Sequence, residues 1–160
     1  MNNQSPYMVE SAYNYLRAAK ILWREPNLGT VATVNAAIGL EILLKSFIAD
    51  PVENLRKGTY SEQYEINGKR LHKLTDLVKQ IAPDTYESLR LQQHEHWFER
   101  FDNLFIEARY PYEPSSRGSY SDVPISVGIE ILDDVINWYK NSGSTDSWIV
   151  NYPNVPGGGL

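Results

Sequence analysis

TVATVNAAIGLEILLKSFIA, residues 30–49, decides the fold. Val31, Val34, Ala37, Ile38, Leu40, Ile42, Leu43, Leu44, Phe47 and Ile48 set apolar side chains nearly all round a helix, whereas a surface helix carries only one apolar stripe. Such a helix belongs at the buried centre of a domain, with other helices packed about it. The turn Pro26-Asn27-Leu28-Gly29 precedes it, Thr30 stands as its cap, and Asp50-Pro51 ends it after Ala49. Asn35, Glu41 and Lys45 interrupt the run, so it does not read as a membrane span.

Upstream, Ser5 and Pro6 form a helix start, with Ser as N-cap and Pro at the first helical position, where its missing N–H costs nothing. Met8, Ala12, Tyr15, Leu16, Ala19, Leu22 and Trp23 recur at steps of three and four, which predicts one amphipathic helix to about Glu25. Downstream, residues 51–69 lose the periodicity and read as a loop, with one short hairpin expected in 58–70 because Asn67-Gly68 is a favoured two-residue turn. Leu71, Leu74, Leu77, Val78 and Ile81 predict a short helix ending before Pro83. Asp84-Thr85-Tyr86-Glu87 has the form of a capping box. It opens a long helix carried by Phe98, Phe101, Phe105, Ala108 and Tyr112, with Gln92-Gln93 the place for a break. After a Pro, Ser, Gly and Tyr-rich loop from Pro111 to Ser121, Asp122 caps a last helix from Val123 to about Asn141, and Gly143 closes it. The expectation is an all-α, up-and-down bundle of about five helices over residues 1–143. The tail 144–160 is expected to be partly docked or disordered, with its Pro-Gly-Gly-Gly-Leu end loose.

With 160 residues, 42% hydrophobic and 22% charged, the chain has the composition of one globular domain. The absence of cysteine excludes disulfides, thiolate metal sites and cysteine nucleophiles. No cationic-then-apolar leader opens the sequence, so a cytoplasmic protein without a membrane role is expected. The net charge of −5 argues against binding polyanions with the whole surface. Residues 51–82 differ, with six basic side chains (Arg56, Lys57, Lys69, Arg70, Lys73, Lys79) against four acidic ones, so a phosphate-binding surface would draw on this segment.

Phosphate-loop, dinucleotide, zinc-protease and serine-hydrolase motifs are all missing. His94 and His96, two residues apart, would point about 200° apart on a helix and cannot share a metal from adjacent turns; no metal or cofactor is expected. Glu41 and Lys45 sit four apart on the central helix and can pair, either as a simple ion pair or as part of a site. His72 opens the third helix beside Lys69, Arg70 and Lys73. Arg109-Tyr110-Pro111-Tyr112 ends the long helix, where the dipole favours a cation. The same residues suit a phosphate and a base, since guanidinium forks onto phosphate while rings stack.

In order along the chain, Ala12-Tyr13-Asn14-Tyr15-Leu16-Arg17-Ala18-Ala19-Lys20, Asn35-Ala36-Ala37-Ile38-Gly39-Leu40-Glu41-Ile42-Leu43-Leu44-Lys45, His72-Lys73-Leu74-Thr75-Asp76-Leu77 and Glu107-Ala108-Arg109-Tyr110-Pro111-Tyr112 resemble the HEPN superfamily, the higher eukaryote and prokaryote nucleotide-binding domain. The resemblance spans roughly residues 7–140. It implies a four- or five-helix bundle, a homodimer with a polar cleft between protomers, and a nucleotide or RNA ligand held by Glu41, Lys45, His72, Arg109, Tyr110 and Tyr112. The setting it implies is prokaryotic defence, toxin–antitoxin or regulation, with a nucleotidyltransferase-like or other operon partner. Many members are metal-independent endoribonucleases with Arg, four to six residues, then His. Arg109 is followed at those positions by Pro114, Ser115 and Ser116. Arg90 and His96 fit the count, with Arg stabilising phosphorane charge and His moving the 2′-hydroxyl proton, and form the alternative catalytic pair. A ligand-free helical interaction module is the second alternative.

Overall fold

The computed structural model describes residues 5–51, 64–65, 71–114, 116 and 119–160. It is an all-α bundle. Helices α1 (Pro6–Leu22) and α2 (Gly29–Lys45) form an antiparallel hairpin. They are followed by α3 (Leu74–Val78), α4 (Pro83–Ser88), a 3-10 helix (Leu91–His94), α5 (Glu95–Phe101), α6 (Leu104–Arg109), α7 (Val123–Asn141) and α8 (Ser147–Asn151). A two-residue antiparallel ladder pairs β1 (Asp50–Pro51) with β2 (Tyr64–Glu65), Asp50 opposite Glu65. The expected Asn67-Gly68 turn lies outside the described residues.

Helix α2 is central as its composition demands, packing against α1, α3, α6 and α7. Leu40, Leu43 and Leu44 are fully buried in the main core with Leu16, Leu77, Phe98, Leu104, Ile131 and Val135. Close approach of the three long helices depends on two glycines. A Cβ at Gly39 of α2 would lie 2.9 Å from Leu16 Cγ, and one at Gly128 of α7 would lie 2.5 Å from Leu16 Cδ2. Leu16 of α1 therefore fills a notch that only residues without a side chain leave open.

The long helix expected after Asp84 is instead four short pieces. Leu89 and Leu91 are both buried, yet two residues on one helix lie about 200° apart. Arg90 between them takes φ +54°, and this left-handed residue lets both leucines face the core. The second break follows Phe101. There Asp102, still at helical backbone angles, accepts bonds from Thr75 N at 2.9 Å and Thr75 Oγ1 at 2.6 Å, tying the start of α3 to the α5–α6 junction, and the path departs from the helix at Asn103. Helix α2 also ends at Lys45, four residues before the expected Ala49, and closes through tighter turns.

The expected caps at Ser5, Thr30, Asp84 and Asp122 make no side-chain cap bonds. Thr30 and Asp84 sit inside their helices, which begin at Gly29 and Pro83. Asp122 already has near-helical backbone angles, which keep its carboxylate from swinging back over the first N–H groups. Ser5 is buried, and its N–H donates to the Tyr139 hydroxyl at 2.9 Å. The cap bonds that do form are at Asp146, which accepts from Trp148 N and Ile149 N. Gly143 closes α7 at φ +76°, with Gly143 N on Lys140 O and Ser144 N on Tyr139 O, a Schellman closure.

The tail is docked to its last residue. Trp148 and Tyr152 pack edge-on against Tyr13 with ring centroids 5.1 and 6.0 Å away. The Tyr13 hydroxyl donates to Gly158 O at 2.7 Å, and Leu160 N donates to the Tyr152 hydroxyl at 3.0 Å. No described helix is long and apolar enough to cross a membrane.

Candidate functional site

Glu41 and Lys45 project from one face of α2 because four residues complete about one turn. Lys45 Nζ donates to Glu41 Oε1 at 2.6 Å. The same oxygen faces His72 Nδ1 at 3.0 Å, so a residue 31 positions away closes on the pair. An ionised carboxylate only accepts hydrogen bonds. With Glu41 ionised in its ion pair, Nδ1 is the donor and Nε2 is the ring nitrogen that Glu41 does not engage. The Glu41 and Lys45 side chains are 18% and 16% exposed, against 67% for His72, so the imidazole is the outward member of the group.

His72 reaches Glu41 because the start of α3 is fixed from behind. Three residues on, Thr75 is held by both carboxylate oxygens of Asp102, and α3 packs on α2 through buried Leu74 and Leu77. Asp102 is thus a positioning residue for the site. Local spacing gives no sign of it, since its partner lies 27 positions back.

Arg109 ends α6, which also packs on α2. Its guanidinium lies 4.2 Å from the centroid of the Tyr110 ring and 5.1 Å from that of Phe105. Stacked on a ring, a guanidinium keeps its N–H edge for an anion. Tyr110 meets Tyr112 edge-on at 6.1 Å, and Tyr112 is 80% exposed. The six expected site residues therefore fall into two groups, Glu41-Lys45-His72 joined by hydrogen bonds and Arg109-Tyr110-Tyr112 joined by ring contacts, on elements related by the packing of α6 on α2. Among the described residues no hydrogen bond or ion pair links Arg109 to Glu41 or Lys45. Lys69 and Arg70 lie outside the described residues.

Arg90 and His96, the alternative catalytic pair, lie on separate elements. Arg90 is exposed at the left-handed break before the 3-10 helix. His96 is exposed in the first turn of α5, its ring 4.4 Å from that of Trp97. His94 is turned inward and buried, 6.4 Å from the Phe98 ring. Burial holds the His94 imidazole below its ordinary value, against the upward pull of the Glu130 and Asp134 charges on α7, while His96 pushes the same way as burial. Among the described residues no group of three or more His, Asp or Glu side chains is placed to hold a metal ion.

No family model matches the chain, and neither a curated protein nor a solved structure matches it significantly.

The arrangement suits binding of an anion next to a ring. Lys45 carries three donors and gives one to Glu41, and the Arg109 fork supplies others, while His72 Nε2, with the ring proton on Nδ1, is an acceptor. Glu41 offsets the Lys45 charge, which makes the site a set of directed donors more than a bare cationic patch. Tyr112 adds a ring accessible from solvent.

Proposed function

We propose that the chain is a HEPN-like homodimeric domain that binds a nucleotide or a short RNA segment through Glu41, Lys45, His72, Arg109, Tyr110 and Tyr112, in a prokaryotic defence, toxin–antitoxin or regulatory setting. The observation that carries the reading is the shared Glu41 Oε1, which gathers Lys45 and His72 from separate elements beside the helix that ends in Arg109. A pair worth little at the surface gains a purpose when it holds an ammonium donor and an imidazole ring toward one ligand. Binding is preferred to cleavage because the positions after Arg109 where the family's catalytic histidine would stand hold Pro114, Ser115 and Ser116.

The dimer is supported by the same helix face. Val31, Val34, Ile38, Glu41 and Lys45 follow one another on α2 at steps of three and four, and Val31 is exposed, as are Tyr15 and Ile21 of α1. A second copy covering the apolar end of this stripe would bring the polar end to the rim of a shared cleft. A nucleotidyltransferase-like or other operon partner fits this setting. Calorimetric titration with a short single-stranded oligoribonucleotide tests the function. Binding weakened about tenfold or more by Lys45→Ala or Arg109→Ala, with melting temperature unchanged, supports it. No heat from the native protein, or large losses of melting temperature in the variants, assigns these residues to structure.

A further inference from the structure

Away from the Glu41 site, a half-open cavity of about 300 Å³ lies between α5, the start of α6 and the segment leading into α7. Its inner wall is set by helix spacing. Trp97 and Phe101 lie four apart on α5 and stack nearly parallel, 16° apart with centroids at 5.5 Å. Leu104 continues that wall and Pro124 faces it. Across the opening, the position of Tyr120 is fixed by its hydroxyl, which donates to Glu107 O at 2.7 Å. The cavity is therefore framed by regular structure on one side and a tethered residue on the other.

Three of the lining residues are polar and exposed. Arg100, three residues on from Trp97 in α5, lines the cavity and is exposed, and Ser119 and Ser121, from the segment leading into α7, line it and are exposed too. We infer that this cavity is a binding site for a small flat aromatic carboxylate, a one- or two-ring acid whose ring lies against Trp97 and whose carboxylate meets Arg100 and the serine hydroxyls. The ring is called for by the Trp97 indole, which lines the cavity with the Phe101 ring stacked on it and gives a flat ligand an aromatic surface to meet. The carboxylate is called for by the guanidinium, whose five N–H donors form a fork that matches two oxygens even when one donor is already engaged. The size suits a small ligand, since the volume is at the lower end of small-molecule pockets. The inference shares no residue with the nucleotide site and stands or falls without it.

The probes are 2-naphthoate and its neutral counterpart 2-naphthamide, followed through the indole N–H resonances of the four tryptophans, with Trp97 assigned from a Trp97→Phe variant. The expected result is a saturable shift of the Trp97 resonance by the naphthoate, with the amide about tenfold or more weaker. Arg100→Gln should abolish that preference without changing the melting temperature, because the side chain is exposed. Ser121→Phe, also at an exposed position, should block both probes by filling the mouth. A Trp97 resonance unmoved at millimolar naphthoate, shifts confined to Trp23, Trp138 and Trp148, equal binding of acid and amide, or binding that survives Ser121→Phe would each overturn the inference.

Discussion

Replacing Gly128 with alanine should destabilise the protein, although helix propensity alone predicts the reverse. In the middle of a helix, Gly→Ala gains about 1 kcal/mol. Here the new methyl would stand 2.5 Å from Leu16 Cδ2. Leu16 has no room to yield, being fully buried with Gly39 of α2 at its other side, where an added Cβ would come within 2.9 Å of Cγ. Overpacking of this kind costs about 1–3 kcal/mol. At mid-range the loss near 2 outweighs the gain near 1, a net cost of about 1 kcal/mol and a melting temperature lower by about 2–4 °C. Leu16→Ala alone should cost about 2–5 kcal/mol through the cavity it leaves. In that background the Gly128→Ala methyl enters empty space, the clash vanishes and the substitution should stabilise by about 1 kcal/mol. Urea denaturation of the four proteins in this cycle measures a coupling of about 2 kcal/mol. If Gly128→Ala raises stability by itself, or has the same effect in both backgrounds, the notch does not set the spacing of α1, α2 and α7.

Gly157→Ala should detach the tail, since Gly157 has φ +99° and a Cβ there would lie 2.6 Å from the Tyr13 hydroxyl oxygen and 2.7 Å from Arg17 Nε; faster proteolysis after Tyr152 and a red shift of tryptophan emission are the readouts. Stability should fall as pH drops below the ordinary imidazole value of 6.5, because buried His94 takes up its proton less readily folded than unfolded. Above that value the stability is fully present, and His94→Gln should flatten the thermal-melt profile between pH 7.5 and the onset of carboxylate titration. Light scattering at micromolar concentration should give about twice the 18.3 kDa chain mass; the monomer mass contradicts the dimer.

The central position of α2 was legible because apolar residues all round a helix leave it nowhere but the interior. Helix α7 and its Gly143 closure were legible from a single apolar face followed by a residue free to take positive φ. The long helix was misread because the three/four rhythm survives a break when each short piece still turns its apolar side to the same core. Buried Leu89 and Leu91 carried the warning, since one helix face cannot hold both. Caps were overcalled for a related reason: residue type permits a cap, but backbone angles and packing decide it, as at Ser5 and Asp122. At the site, spacing alone established Glu41 with Lys45. The contact of His72 with Glu41 and the hold of Asp102 on Thr75 had no local signal, because tertiary packing creates both.

The central claim is tested most directly by the salt dependence of binding of a short single-stranded RNA, followed by fluorescence anisotropy. With Lys45 and Arg109 each meeting one phosphate, the logarithm of the binding constant should fall with the logarithm of salt concentration at a slope of about −1.4, and each alanine variant should lose about 0.7 of it. Arg90→Ala and His96→Ala should bind as the native protein does. A native slope near zero, no binding at low salt, or slopes unchanged by Lys45→Ala and Arg109→Ala would contradict the account.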